Sequence, residues 1–469
     1  MKRSVFIAIL PLVFLAGLHQ AHAFCVPNSP DAFNPGMDTD KSHEFSAMIG
    51  LSKFDEDMYV DLLLGLELNF DLVGIGLAVP LHTLAWDRDP ENTDAWYHKY
   101  LFRKADWDEV SDYFRIFRYI RYGCKGCEEN WVYGILGDLQ SVSIGHGTIV
   151  GSYANNYNQS HYQLGLQADV YTPWAGMELL LNNVINPHLF GARVYLKPVS
   201  FYDKESYWNG LKVAMTVMSD ITAPHTLQTT TDDNGDGLPD VTADKHNLPN
   251  VDGENALTVY GWDLEFKVLD LDWLDLTPFL DVNYIGEHGA GMHLGVMADW
   301  EFGVTLNTRA EYRYFGDEYL PTYFNNYYEA ERFLFAGSAS DTKQQALNGV
   351  KGRHGYYLGA SIFFLDVVRI GATFDDYQGA NNSNLLVFID IPALEFLEFS
   401  AYYYKSNFDK AKDIVTFDDR SLFVAQAVIR YNIMRIGLHF TRSWTFDQDK
   451  GKYEPHDDYG FTAGVGVQF

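Results

Sequence analysis

Residues 301–313 read Glu-Phe-Gly-Val-Thr-Leu-Asn-Thr-Arg-Ala-Glu-Tyr-Arg, and they place two kinds of side chain on alternating positions. Phe302, Val304, Leu306, Thr308, Ala310 and Tyr312 fall on one face. Glu301, Gly303, Thr305, Asn307, Arg309, Glu311 and Arg313 fall on the other. Successive side chains of a strand point to opposite faces, so the segment is a strand with one apolar face and one charged or small face. The same split recurs on either side of it. Tyr260, Trp262, Leu264 and Phe266 oppose Gly261, Asp263, Glu265 and Lys267; Ile436, Leu438 and Phe440 oppose Arg435, Gly437, His439 and Thr441. A soluble sandwich alternates as well, so this pattern needs a second discriminator.

Three features supply it. The alternating runs are about ten or more residues long, whereas strands of soluble proteins average about five or six. Aromatic pairs and triplets (Tyr402-Tyr403-Tyr404, Tyr327-Tyr328, Tyr356-Tyr357) gather at strand ends, where a membrane interface favours them. The final segment carries Tyr459, Phe461, Ala463, Val465, Val467 and Phe469 on one face, and Gly460, Thr462, Gly464, Gly466 and Gln468 on the other. That ending resembles the C-terminal signature of bacterial outer-membrane β-barrels. The resemblance implies an outer-membrane location, lipid contact, and recognition of the terminal aromatic by the barrel-assembly machinery.

Strands are expected to start near Glu44, Met58, Val73, Asp112, Trp131, His161, Met177, Leu189, Leu211, Leu257, Leu276, Met292, Gly303, Tyr356, Val368, Asn384, Phe396, Leu422, Met434 and Tyr459. The fold class is therefore all-β: a transmembrane antiparallel barrel of about 20 strands (16 or 18 being the alternatives) with short periplasmic turns and long extracellular loops. Short links fall at 69–71, 171–173, 365–366, 391–393 and 431–433. Long ones fall at 84–110, 221–256, 316–354, 405–420 and 446–458, all expected outside the cell. Residues 106–122 are ambiguous. Asp106 and Glu109 have capping-box spacing, which favours a short loop helix leading into a strand; a helix folded into the lumen is the alternative.

The N-terminus reads as an export signal. Lys2 and Arg3 precede an apolar run from Val5 to Leu18, and Ala21-His22-Ala23 fits a cleavage site after Ala23. The run is shorter than the roughly 20 residues a membrane helix needs, and the residues before Cys25 do not resemble a lipobox. The expected organisation is a signal peptide at 1–23, a periplasmic segment at 24–42 and a barrel at 43–469. No plug domain is expected ahead of the first strand. The net charge of −29 argues against a nucleic-acid partner.

Two local motifs stand out. Asp232-Asp233-Asn234-Gly235-Asp236-Gly237-Leu238-Pro239-Asp240 sets oxygen ligands at alternating positions around a flexible glycine, which suits Ca²⁺. It resembles the calcium loops of EF-hands, dockerins and thrombospondin type-3 repeats. The resemblance implies side-chain ligands at Asp232, Asn234, Asp236 and Asp240, a backbone carbonyl at Leu238, and a structural Ca²⁺ as cofactor. Ala243 stands where an EF-hand carries its bidentate glutamate. Cys124-Lys125-Gly126-Cys127 lacks the following histidine of a haem site and a second pair for zinc. In an oxidising compartment it reads as a local Cys124–Cys127 disulfide in a periplasmic turn.

A Gly- and Asn-rich loop, Gly145-His146-Gly147-Thr148 followed by 152–157, either folds inward to narrow a pore or remains at the surface. No nucleophile elbow surrounds His146 or Ser152, and nothing resembles the outer-membrane phospholipase or omptin sites, so the chain is not read as an enzyme. Arg309, Arg313, Arg430 and Arg435 share predicted inward faces with Asp263, Glu265, Glu301, Glu311 and Glu398. Lining a pore, these charges would set selectivity; paired with one another, they would block it. The leading expectation is a porin-like channel for passive diffusion of small hydrophilic solutes or ions. The chief alternative is a non-conducting scaffold barrel that holds a protein partner through long acidic, aromatic loops such as 319–331. A third is a sheath around an electron-carrying or secretion component.

Overall fold

Alternation of this length has one stable outcome in a membrane, a sheet closed on itself, because hydrocarbon offers no partner to an unpaired sheet edge. The computed structural model describes residues 43–54, 57–70, 72–87, 102–123, 132–139, 141–156, 162–203, 205–232, 239–242, 244, 248–333, 341–364, 368–394, 396–418, 420–447 and 452–469. It is a closed antiparallel barrel of 20 strands. In chain order these are β1 (Glu44–Phe54), β2 (Asp57–Phe70), β3 (Val73–Trp86), β4 (Phe117–Tyr122) and β5 (Val132–Gly137). Then follow β6 (Gly165–Tyr171), β7 (Ala175–Leu181), β8 (Leu189–Leu196), β9 (Leu211–Asp220) and β10 (Leu257–Phe266, continued by Leu269–Leu271). The second half comprises β11 (Leu274–Ile285), β12 (Ala290–Glu301), β13 (Thr305–Phe315), β14 (Arg353–Phe364) and β15 (Val368–Tyr377). The last five are β16 (Ser383–Leu394), β17 (Leu397–Phe408), β18 (Ser421–Tyr431), β19 (Met434–Asp447) and β20 (Lys452–Gln468).

Each strand pairs with the next, and β1 pairs with β20 from Glu44↔Gln468 to Lys53↔Tyr459, so the sheet has no edge. Twenty strands arise where the alternation places them, with three shifts. The β4 strand begins at Phe117 because Ser111–Ile116 forms a 3₁₀ turn. The β6 strand begins at Gly165, and β20 begins at Lys452, so 446–458 is largely strand rather than loop. Residues 405–420 are likewise mostly structured, with β17 reaching Phe408 and a 3₁₀ turn at Ala411–Val415. In 106–122, short helical turns precede a strand, as the sequence favours. Asp106, however, is not a cap: it ends the turn Lys104–Asp106, and its carboxylate accepts from Arg103 Nη1 at 2.6 Å and lies 2.8 Å from His82 Nδ1.

The faces divide as the sequence predicts. Tyr260, Trp262 and Leu264 on β10, Tyr312 on β13, and Phe461, Val465 and Val467 on β20 are exposed on the outer wall. Exposed aromatics ring both rims: Phe70, Tyr122, Trp273, Phe302, Phe396, Tyr431 and Phe469 on the short-turn side, and Tyr260, Tyr284, Tyr314 and Tyr356 on the long-loop side. Amphipathic rings settle at the two membrane interfaces, so these girdles bound the hydrocarbon layer. Tyr327 and Tyr328 do not belong to a girdle; both are buried inside the barrel.

Strand length departs from expectation in one sector. Strands β4 to β8 have only six to eight residues, against ten to seventeen elsewhere. There the chain leaves the wall and turns inward. Fully buried Asn155 replaces the lost ladder: its Oδ1 accepts from Leu139 N, and its Nδ2 donates to the carbonyls of Gln163 and Asn182. Residues 1–23, 24–42, Cys124, Cys127, Asn234, Asp236 and Leu238 lie outside the described residues. Of the predicted calcium loop, Asp232 and Asp240 are described. The base of that loop is drawn together by a Thr229↔Val241 bridge and by Thr230 N donating to Asp240 O at 2.8 Å.

Closure requires close approach at the seam. A Cβ added at Gly464 would lie 2.1 Å from the Ala47 carbonyl oxygen, whereas one at Gly134 would meet nothing nearer than 3.7 Å. Gly464→Ala is therefore expected to destabilise the barrel by about 1–3 kcal/mol and Gly134→Ala to be tolerated. Heat-modifiable gel migration after refolding in graded urea checks both.

Candidate functional site: the lumen and its inward loops

The inner wall is built by the i, i+2, i+4 spacing of β13, which directs Arg309, Glu311 and Arg313 to the same buried face. Glu311 sits between the two arginines, paired with Arg309 and accepting from Arg313 Nε at 2.8 Å. Arg313 also donates to the Tyr377 hydroxyl at 2.7 Å. Both guanidiniums lie over the Tyr357 ring, 5.0 and 4.5 Å from its centroid. Such cation–π contacts hold a desolvated arginine in place. The other candidate pore-lining residues also face inward. Asp263 accepts two bonds from Arg193, at 2.9 and 2.7 Å, in a bidentate pair. Arg430 pairs with Glu398, and Arg435 lies 3.4 Å from Glu44 across the seam region. Positive and negative groups thus alternate along the wall as neighbours rather than standing opposite one another across the lumen.

Two of the described loops fold deep into this lumen. The first connects β5 to β6 and contains a small hairpin, Val142–Ile144 paired with Val150–Tyr153. Gly145 and Gly147 have φ of +57° and +75°, a left-handed backbone that glycine adopts without strain, and they set His146 at the tip. His146 reaches the middle of the wall. Its Nδ1 is 2.8 Å from Asp281 Oδ1 and its Nε2 is 2.8 Å from Glu265 Oε2, while its ring stacks on Phe279 at 4.1 Å. Thr148 adds a bond from Oγ1 to Asp281 Oδ2 at 2.6 Å. A ring with a carboxylate at each nitrogen donates from both, which makes it an imidazolium. Burial disfavours that charge, but Asp281 and Glu265 outweigh the penalty and push the His146 pKa up to about 9.

The second loop connects β13 to β14. Its 319–332 stretch, rich in tyrosine, is packed inside the barrel instead of being displayed at the surface: Tyr319, Tyr323, Phe324 and Tyr328 are all buried. Backbone bonds fasten it to the first loop. Thr322 N donates to Thr148 O at 2.8 Å, Phe324 N to Ile149 O at 3.0 Å, and Gly151 N to Phe324 O at 3.1 Å. Glu329 takes bonds from Tyr153 and Gln163 and lies 3.0 Å from His188; burial opposes its charge, but His188, Arg332 and Tyr153 hold its pKa down at about 2. Tyr328 and Arg332 both bind Asp220 at the end of β9, and Tyr327 meets Tyr404 on β17, so the loop spans the barrel from one wall toward the other.

The sequence pointed to His146 and to an inward loop as one of two options, but it gave no sign of Asp281, Phe279 or Thr148 as partners. It misread 319–331 as a surface for a partner. The density of large aromatics there was the available signal, since so much apolar area is rarely left in water. His146, Asp263 and Asp281 have ligand atoms within 4.8 Å of one another, close enough for a shared metal ion. The positive charge at that point already comes from His146 and Arg193.

An apolar outer belt, two aromatic girdles, closure without an edge and a charged interior define a multi-pass bacterial outer-membrane β-barrel of porin-like architecture. No protein-family model matches the chain, and comparison with curated proteins finds no match. Among solved structures, the chain is similar to OccK11 (OpdR) of Pseudomonas aeruginosa, with a TM-score of 0.35 and 9% identity over 91% of this chain and 95% of that one. It is also similar to OccK5 (OpdH) of the same organism, with a TM-score of 0.32 and 11% identity over 91% and 97%. A third similar structure is Wzi of Escherichia coli, described as a carbohydrate-binding β-barrel involved in group 1 capsule assembly, with a TM-score of 0.33 and 10% identity over 92% and 85%.

The His146 contact has a pH signature. A histidine whose pKa is raised by folding gives its full stabilisation below the unfolded value of about 6.5 and loses it as pH rises through about 9. Relative to His146→Gln, the native barrel is expected to be more stable at pH 6 by on the order of 2–3 kcal/mol. That advantage should fade by pH 10, as read from urea midpoints of both proteins across the range.

Proposed function

We propose that this protein is a constricted porin-like channel for passive diffusion of small hydrophilic solutes or ions. The observation that carries the reading is the polar inner wall narrowed by two loops fastened to each other and pinned at His146. A wall of paired charges presents polar edges to a permeating solute without an uncompensated field strong enough to trap it. In planar bilayers the refolded protein is expected to give small, steady conductance steps. Replacing residues 145–150 with a short Gly-Ser link is expected to enlarge them several-fold. Silence in both proteins, with folding shown by heat-modifiable migration, would sink the channel reading.

A second reading, a non-conducting scaffold barrel, is favoured by the close pairing of Arg313, Arg193 and Arg430 with carboxylates and by the reach of Tyr327 to the far wall. Silence in the bilayer experiment would select it. The calcium reading of 232–240 belongs to the same proposal, as a stiffener of the β9–β10 loop. Chelation is expected to speed protease cleavage in that loop, and an unchanged digestion pattern would count against an ion there.

A further inference from the structure

On the short-turn rim the β8–β9 connection, residues 197–210, differs from the short described turns around it. It folds into two 3₁₀ turns, Pro198–Phe201 and Tyr207–Gly210. The Ser206 side chain accepts from Trp208 N, the Tyr207 hydroxyl donates to Val268 O at 3.0 Å, and Ser200 bonds Asn209. Trp208 lies flat against Phe266, with centroids 5.1 Å apart and planes 12° apart, and Tyr207 meets the same ring edge-on at 5.3 Å.

Phe266 follows Trp262 and Leu264 on the outer face of β10, so the connection folds over the lipid-facing wall and not into the lumen. It leaves Phe201, Tyr202, Tyr207 and Trp208 exposed, Tyr202 at 93%. These four rings continue the girdle formed on the same rim by Trp273, Phe302 and Tyr431.

We propose that residues 198–203 and 205–210 form an outrigger that seats Tyr202, Tyr207 and Trp208 in the headgroup layer of the leaflet at this rim, so that its partner is the lipid surface. Continuity with the girdle, and stacking on a lipid-facing phenylalanine, favour lipid over a soluble protein. Tyrosine and tryptophan pair an apolar body with a polar tip, the combination a headgroup layer selects. The outrigger leaves the end of β8, the last of the short wall strands, and packs against β10, broadening the barrel's hold on the interface there. It does not depend on whether the barrel conducts.

The test compares the native protein with Trp208→Phe, which keeps a ring on Phe266, after refolding into phosphatidylcholine vesicles. The difference between their tryptophan emissions isolates Trp208. Lipid brominated near the carbonyl end of its chains is expected to quench that component by at least about twofold, with aqueous acrylamide having little effect. Tyr202→Trp gives the same reading by addition, at the exposed tip, should the first variant refold poorly. Strong acrylamide quenching with no response to brominated lipid, in either variant, would overturn the proposal and mark the rings as a surface for a soluble partner.

Discussion

A backbone that crosses hydrocarbon has to satisfy every N–H and C=O from within itself, and in this protein the pairing of β1 with β20 makes that possible. Without it the first and last strands would be two long edges, and none of the other pairings would stand in a bilayer. With it, each strand has two neighbours, and the two-residue period decides the rest. One face meets lipid and carries Trp262, Leu294 and Phe461; the other encloses a space that can take Arg309, Glu311 and Asp263. Sequence alternation, membrane placement and a polar lumen are consequences of one closed ladder.

Enclosure changes what those inner charges are worth. A charge taken out of bulk water is stable when it is paired and hydrogen-bonded, and the wall meets this condition with neighbours: Glu311 between two arginines, Asp263 under the fork of Arg193, Glu265 against His146 and Lys212. The inward loops supply partners as well as bulk. His146 comes from a loop and serves two wall carboxylates; Glu329 comes from another loop and gathers Tyr153, Gln163 and His188. The shortened strands β4 to β8 belong to the same arrangement, since residues withdrawn from the wall there become the hairpin inside it, with Asn155 bonding the strand ends left behind.

Much of the fold was legible because its signal is local. Period-two alternation, turn residues such as Asn432 and the aromatic ending need only a few neighbouring positions, and they placed most strand starts close to where the structure has them. The direction of a loop is not local. Whether Gly145–Thr148 lies outside or inside depends on Asp281 and Glu265, more than a hundred residues away, and no spacing rule connects them. The stretch from Tyr319 to Glu331 looked like a display surface for a related reason: tyrosine and acidic residues suit both a wet interface and a buried network, and only the contacts of Tyr319 with Asn283 and His293 distinguish the two.

The hydrogen bonds between the two inward loops set an order of events. Thr322 reaches the Gly147 carbonyl across 175 positions of chain, and Tyr153 reaches Glu329 across 176. Strand pairings between neighbours can form as soon as each hairpin exists, whereas these links need β5 to β13 already curved into a wall that brings the loops together. Loop-closure entropy delays such distant contacts until nearer ones have shortened the path. The links between the inward loops therefore follow the local hairpins, and the β1–β20 closure, which joins Glu44 to Gln468, spans more chain still.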